Sequence, residues 1–268
     1  MRTMKIAAVG AGSLLALGMA APAYADDHIA ELSVLHAVPD ATVDVYVNGD
    51  LTLESFEPGD LAGPLELPED TYEVAITAED ADLADAIIGP INLPLEAGMS
   101  YTAVAHLDAA GDLTASLFTN DISETAAGEG RLTVRHTAAA PAVDVWADGS
   151  VLFSNLSNPD EVMGDVPAAT YEAAVSLTGE TDVVIGPADV PIESGVNTIV
   201  YAWGSAADGN LDFAVQQVDT VSAANPSGVA AGTEGLAADN GTSMGLIVAL
   251  LLGIAAVGAT TSVVVARR

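Results

Sequence analysis

The sequence predicts an all-β protein: two tandem antiparallel β-sandwich domains, immunoglobulin-like or transthyretin-like, followed by one C-terminal transmembrane helix. Three observations predict it. Short segments alternate apolar and polar residues with period two, as in Leu32, Val34 and His36, then Val43, Val45 and Val47, then Tyr72, Val74 and Ile76. The chain repeats itself at a spacing near 100 residues, the size of a whole domain rather than of a solenoid unit. Residues 244–266 carry no charge and form a run long enough to cross a bilayer as a helix.

The repeat is ordered along the chain. Glu31-Leu-Ser-Val-Leu-His36 and Val43-Asp-Val-Tyr-Val-Asn-Gly49 return as Arg131-Leu-Thr-Val-Arg-His136 and Val143-Asp-Val-Trp-Ala-Asp-Gly149. Leu67-Pro68, Thr71-Tyr72-Glu73, Ile88-Gly89-Pro90 and Glu96-Ala97-Gly98 have counterparts at Val166-Pro167, Thr170-Tyr171-Glu172, Ile185-Gly186-Pro187 and Glu193-Ser194-Gly195. The spacing drifts from 100 to 97, as loops shorten while strands persist. Asn48-Gly49 and Asp148-Gly149 stand where a tight turn should follow a strand, because both residue types tolerate positive φ. Further strands are expected near 87–95, 100–107 and 112–119, with counterparts near 183–192, 197–203 and 210–217. That makes six to seven per unit, enough for a two-sheet sandwich with an apolar face on each sheet.

The organisation that follows is a signal peptide at 1–25, a first sandwich at 26–122, a linker at 123–130, a second sandwich at 131–218, a low-complexity stalk at 219–243, the helix at 244–266 and a tail at 267–268. Arg2 and Lys5, an apolar stretch and Ala23-Tyr24-Ala25 before Asp26 form the charge, core and cleavage pattern of a secretory leader. The alternative is an N-terminal anchor that stays on. Arg267 and Arg268 beside the apolar run place the C-terminus inside and the bulk of the chain outside, a single-pass type I arrangement in the cell membrane. The short linker predicts two separate cores, and the Ala-, Gly- and Ser-rich stalk is too poor in apolar area to fold alone.

Between Asp26 and Ser243 the only cationic side chains are Arg131 and Arg135, against 38 carboxylates, a formal charge of 2 − 38 = −36. Nucleic acid and anionic lipid are poor partners for such a surface. It suits a saline medium, where salt screens like charges, and also serves as a solubility device. The two arginines are expected to pair with nearby carboxylates. There is no cysteine, which excludes disulfides, thiol nucleophiles and Cys-ligated zinc.

The tract Leu35-His-Ala-Val-Pro-Asp-Ala-Thr-Val-Asp-Val-Tyr-Val-Asn-Gly49, with Leu67-Pro68, Thr71-Tyr72-Glu73 and Leu95-Glu-Ala-Gly98, resembles the domain of unknown function 4397 family of exported bacterial and archaeal proteins. That family has a His-Ala-Ser-Pro-Asp-Ala-Pro segment before a Val-Asp-Val-Tyr strand. The second unit matches more weakly, with Thr137-Ala-Ala-Ala140 in place of Ala37-Val-Pro-Asp40. The resemblance covers most of residues 30–218. It implies a surface-located β domain, and the family supplies no established activity or catalytic residues.

Candidate site residues are His36, Asp44 and Tyr46, repeated as His136, Asp144 and Trp146. Each His closes a strand on its core-facing parity and each Asp follows a seven-residue connection, so an imidazole–carboxylate hydrogen bond across that turn is expected, structural in role. Tyr46 and Trp146 lie on the parity opposite the valines, where they pack under a loop or present a ring to a saccharide or protein partner. Glu79, Asp80, Asp82 and Asp85 crowd one loop but lack a calcium-loop pattern, and read as a solvated acidic face. No nucleophile elbow, His-Glu-x-x-His motif or P-loop is present, so neither a catalytic residue nor a cofactor is expected. The reading is a non-enzymatic structural or adhesive surface protein held by membrane lipid through its helix, with extracellular matrix, polysaccharide or other surface proteins as partners. A ligand-binding ectodomain for saccharide, protein or metal, acting with a membrane partner, is the alternative, and a hydrolase stands third.

Overall fold

The structure is a computed structural model that describes residues 28–221. The expected leader (1–25), nearly all of the expected stalk (219–243), the expected transmembrane helix (244–266) and the expected tail (267–268) lie outside the described residues. Among those described, no helix is long and apolar enough to cross a membrane.

Sixteen strands and one short 3-10 turn make up this region. The first unit contains β1 (Ile29–His36), β2 (Val43–Val47), β3 (Asp50–Phe56), β4 (Leu61–Pro68), β5 (Asp70–Ala78), the turn at Leu83–Asp85, β6 (Ile88–Leu95), β7 (Ser100–Leu107) and β8 (Leu113–Asn120). The second unit repeats the series as β9 (Glu129–His136), β10 (Val143–Ala147), β11 (Ser150–Leu156), β12 (Glu161–Pro167), β13 (Ala169–Leu177), β14 (Val183–Ile192), β15 (Val196–Trp203) and β16 (Asp212–Asp219). Each unit is a pair of four-stranded sheets, ordered β4-β1-β7-β8 and β3-β2-β5-β6 in the first, and β12-β9-β15-β16 and β11-β10-β13-β14 in the second.

Two expectations change here. Each unit has eight strands rather than six or seven, because β3, β4 and their counterparts are edge strands with little apolar signal. β3 buries only Phe56 among its seven residues, and β4 is interrupted by Gly63-Pro64, tolerable where one side needs no partner. The sandwiches are also not wholly antiparallel. β1 runs parallel to β7 and β9 parallel to β15, while the other pairings are antiparallel. Parallel neighbours need a long crossover, and here the strands between β1 and β7 supply it as the chain passes from one sheet to the other.

The turn chemistry is as the dipeptides predict. Asn48 and Gly49 take φ of 52° and 87°, Asp148 and Gly149 take 49° and 74°, and each pair closes a two-residue hairpin. The Asn48 and Asp148 side chains accept hydrogen bonds from the Glu73 and Glu172 amides, which fixes the hairpins to the neighbouring strands.

Each sandwich has its own core. In the first it is built on Leu32, Val43, Val45, Ile76, Leu93 and Tyr101, and in the second on Leu132, Val143, Val145, Val175, Val190 and Ala202. The expected separate cores are present, but a third cluster joins the two units. Leu35, Ala37, Val104 and Phe118 of the first unit pack with Ile199, Tyr201 and Trp203 of the second. The β4-β1-β7-β8 sheet and the β12-β9-β15-β16 sheet therefore meet through their outer faces and give four stacked sheets. β1 and β7 are buried on both faces, which is why seven of the eight β7 residues are inaccessible.

Candidate functional site

His36 sits on the inner face of its sandwich, fully buried, with its ring stacked on Phe56 at a centroid distance of 5.9 Å. Its Nε2 lies 2.7 Å from the Ala41 carbonyl, an acceptor that places the ring proton there. His136 repeats the contact with the Pro141 carbonyl at 3.0 Å, and its Nδ1 receives the Ala138 amide at 3.3 Å. Each imidazole thus ties the end of its strand to the connection that follows. Burial pulls the pKa of both below the ordinary histidine value, against an opposing pull from the carbonyl bonds and from Asp60 and Asp160.

The predicted imidazole–carboxylate bond is not made. His36 is on β1, while Asp44 is on β2 of the opposite sheet, alternating with the core-facing valines and so directed outward. Asp44 instead accepts from the Ser55 amide at 2.8 Å and the Asp80 amide at 3.0 Å. Asp144 accepts from Asn155 and Gly179, both at 2.9 Å. Ser55, Asp80, Asn155 and Gly179 all have positive φ, so the carboxylate braces two left-handed corners at once. The Gly179 and Asn155 amides hold the Asp144 carboxyl below its usual range.

Tyr46 and Trp146 share the outward parity of these aspartates and are half-buried. Trp146 Nε1 donates to Ser176 Oγ at 2.9 Å, and the Tyr46 hydroxyl reaches the Ala81 carbonyl at 3.4 Å. Each ring therefore lies along its own sheet beneath the loop after β5 or β13. In the acidic loop, Glu79 accepts from the Ser55 hydroxyl and the Asp80 backbone serves Asp44. Among the described residues no group of three or more His, Asp or Glu is placed to hold a metal ion.

The densest polar arrangement lies between the sandwiches. Arg135 is fully buried, its Nε 2.8 Å from Glu161 Oε2. Its Nη1 donates to Tyr201 Oη at 2.7 Å and Asn120 Oδ1 at 3.0 Å, and Nη2 reaches the Thr119 carbonyl at 3.3 Å. The guanidinium carbon stands 4.5 Å from the Phe118 ring centre and 5.3 Å from that of Tyr201. Tyr201 Oη donates in turn to Gln216 Oε1 at 2.6 Å, which also accepts from Thr102 Oγ1 of the first unit at 3.0 Å. Burial raises the Tyr201 pKa above the ordinary tyrosine value, which keeps it a neutral donor. Arg131 extends the seam. It holds Asp165 through Nε and Nη2 at 2.9 and 3.2 Å, and Asp121 through Nη1 at 2.8 Å, fastening the start of the linker. The expectation that both arginines pair with carboxylates is met, with Asp121, Asp165 and Glu161 as partners.

Sequence reasoning missed His106, Asn120, Tyr201 and Gln216. His106, Tyr201 and Gln216 lie on strands that were expected, Asn120 one residue past one, and nothing in the alternation told that their outer face is covered. His106 is fully buried, with Nδ1 2.8 Å from the Leu107 carbonyl and Nε2 2.9 Å from Ser116 Oγ, and burial lowers its pKa. The one signal available was the rarity of arginine: two cations among 38 carboxylates, both on one strand at parity i, i+4.

The sequence model of the family described as "Domain of unknown function (DUF4397)" matches residues 30–146. The match takes in all eight strands of the first sandwich and ends in β10 of the second. No curated protein matches the chain.

Proposed function

We propose that a chain with this family match over residues 30–146 is a non-enzymatic cell-surface protein, structural or adhesive, that displays two copies of one β domain as a single stiff body from a membrane anchor. The observation that carries this reading is the filled seam between the sandwiches. Arg135, Tyr201, Asn120 and Gln216 occupy the space in which a hinged, clasping pair of domains would place a cleft. Asp44, His136 and Asp144 support it too, since each spends its hydrogen bonds on neighbouring backbone, and His36 bonds backbone through Nε2 while its Nδ1 is buried without a partner. The leader and the apolar run at 244–266 supply export and attachment in this reading.

A protease added to intact cells is expected to release one fragment containing both sandwiches, with the C-terminal apolar segment left in the membrane fraction. Full-length protein recovered intact from the cytoplasm would end the display reading. Turnover of ester or glycoside substrates by the purified chain would move it to the hydrolase class, and saturable polysaccharide binding to the ligand-binding class.

The surface supports an external, saline setting. Both arginines of the described region are buried, so its exposed charges are carboxylates with neither Lys nor Arg among them. Raising NaCl from about 0.1 M to 2 M shrinks the screening length from about 10 Å to under 3 Å. The melting temperature is expected to climb markedly across that range, with KCl acting alike. A flat response would leave the charge as a solubility feature.

A further inference from the structure

The interior of the first sandwich is underfilled in a way that the second is not. Between its two sheets lies an apolar cavity of about 250 Å³, lined by Val34, Leu53, Leu67, Val74, Ile91 and Ala115 among others. The corresponding space in the second sandwich is about 40 Å³. Native cores contain few voids larger than a water molecule, and an apolar cavity of about 150 Å³ is enough to stay dry and take up benzene.

The registers identify which residues make the difference. His36 pairs with Ala105 as His136 pairs with Ala202, and the next strand places Ala115 opposite Ala105 and Phe213 opposite Ala202. Ala115 and Phe213 are therefore equivalent, as are Leu53 and Phe153, opposite Val45 and Val145. Both phenylalanines pack on the core of the second unit. The second unit carries Ala173 and Ala188 where the first has Val74 and Ile91, yet its two rings still leave only the small residual space. The walls differ as well, with Leu65 where the second unit has Gly164 against Phe153, but these larger wall residues do not replace the Phe213 ring, and the space stays open.

The geometry points to the first sandwich as a binding site for a small uncharged hydrocarbon group of about the size of a phenyl ring, held between the sheets where Phe213 lies in the second. The lining is apolar apart from Asp50, Thr52 and Ser116. Asp50 and Thr52 are exposed, and the half-buried Val47, Leu53 and Ile91 stand between them and the core, which places the entrance on the β3 side. A carboxylate at that entrance repels an anionic ligand, so the group that enters carries no negative charge. This site is independent of the display reading, because it concerns one sandwich and is measured on the purified chain.

The test is titration calorimetry of the purified full chain with toluene, and with benzoate as the anionic counterpart, for wild type, Ala115→Phe and Phe213→Ala. Wild type is expected to take up one toluene and to bind benzoate at least roughly tenfold more weakly. Ala115→Phe should lose at least about tenfold in toluene affinity and melt at a higher temperature without ligand, since its ring fills the void. Phe213→Ala should gain a second toluene site. Should Ala115→Phe fail to fold, Ala103→Leu narrows the same cavity and is expected to weaken toluene binding. Toluene binding that is absent in wild type, or unchanged in the filled variants, overturns the site. Equal affinity for benzoate overturns the requirement for an uncharged ligand.

Discussion

Replacing Arg135 with methionine is expected to lower the unfolding free energy by about 3 to 5 kcal/mol, the range for breaking a buried ion pair from one side. Methionine keeps much of the volume, so the loss reports lost bonding rather than a hole. The Glu161 carboxylate retains 28% exposure and can recover water, which favours the lower end of that range. Asn120 and Tyr201, by contrast, are buried and lose a charged donor with no water to replace it. Lysine at the same position keeps the charge but offers no planar fork to reach Glu161, Tyr201 and Asn120 together, so Arg135→Lys should fall between methionine and wild type. Urea unfolding of the full chain followed by circular dichroism measures this. A loss below about 1 kcal/mol, typical of an exposed pair, would mean that the seam between the sandwiches is not held by this residue.

Stability is expected to fall steeply as pH drops from 6.5 toward 5. His36, His106 and His136 are buried and have pKa values lowered from the ordinary 6.5, chiefly by desolvation. The unfolded chain binds protons at these sites near pH 6.5, whereas the folded chain resists binding them. Stability is therefore fully present above that pH and is lost as pH falls through the folded values. Each proton contributes a slope of up to about 1.4 kcal/mol per pH unit, so three acting together approach roughly 4. Protonation of exposed carboxylates relieves surface repulsion and opposes the trend, but mostly below about pH 5. Glutamine at each position in turn should remove about one third of the slope, read from melts at pH 7.5, 6.5 and 5.5. A slope unaffected by all three changes would place the acid response elsewhere.

The parts of the fold that were legible are those in which one face of a strand is apolar and the other is not. Val43-Asp-Val-Tyr-Val47 shows its two faces at once, and the Asn-Gly and Asp-Gly turns announce the hairpins. β3 and β4 were not legible because an edge strand needs little apolar area, and Gly63-Pro64 reads as a break. The seam was hidden for a different reason. Ser33, Ser100, Thr102 and Thr133 have the polarity of a solvated face, and period-two alternation tells that a strand has two faces without telling what covers the polar one. The supposed His–Asp pair failed on the same point. The residues are eight apart in sequence, but one faces into the sandwich and the other out of the opposite sheet, and residue counting does not reveal a change of sheet between them.

The seam joins the same face of two similar domains. Gly59 of the first lies against Trp203 of the second at one corner, and Asn158 of the second bonds the Leu107 carbonyl of the first at the corner related to it. That is the arrangement of a twofold dimer written into one polypeptide. Its matched positions differ: Leu35 stands in the place of Arg135, Val104 in that of Tyr201, Phe118 in that of Gln216, and Thr102 in that of Ile199. A first domain meeting another first domain would bring two apolar faces together without the cation, and two second domains would set Arg135 against Arg135. Each half is thereby fitted to the other half of its own chain and poorly to the matching half of a second chain, which disfavours exchange of domains between chains.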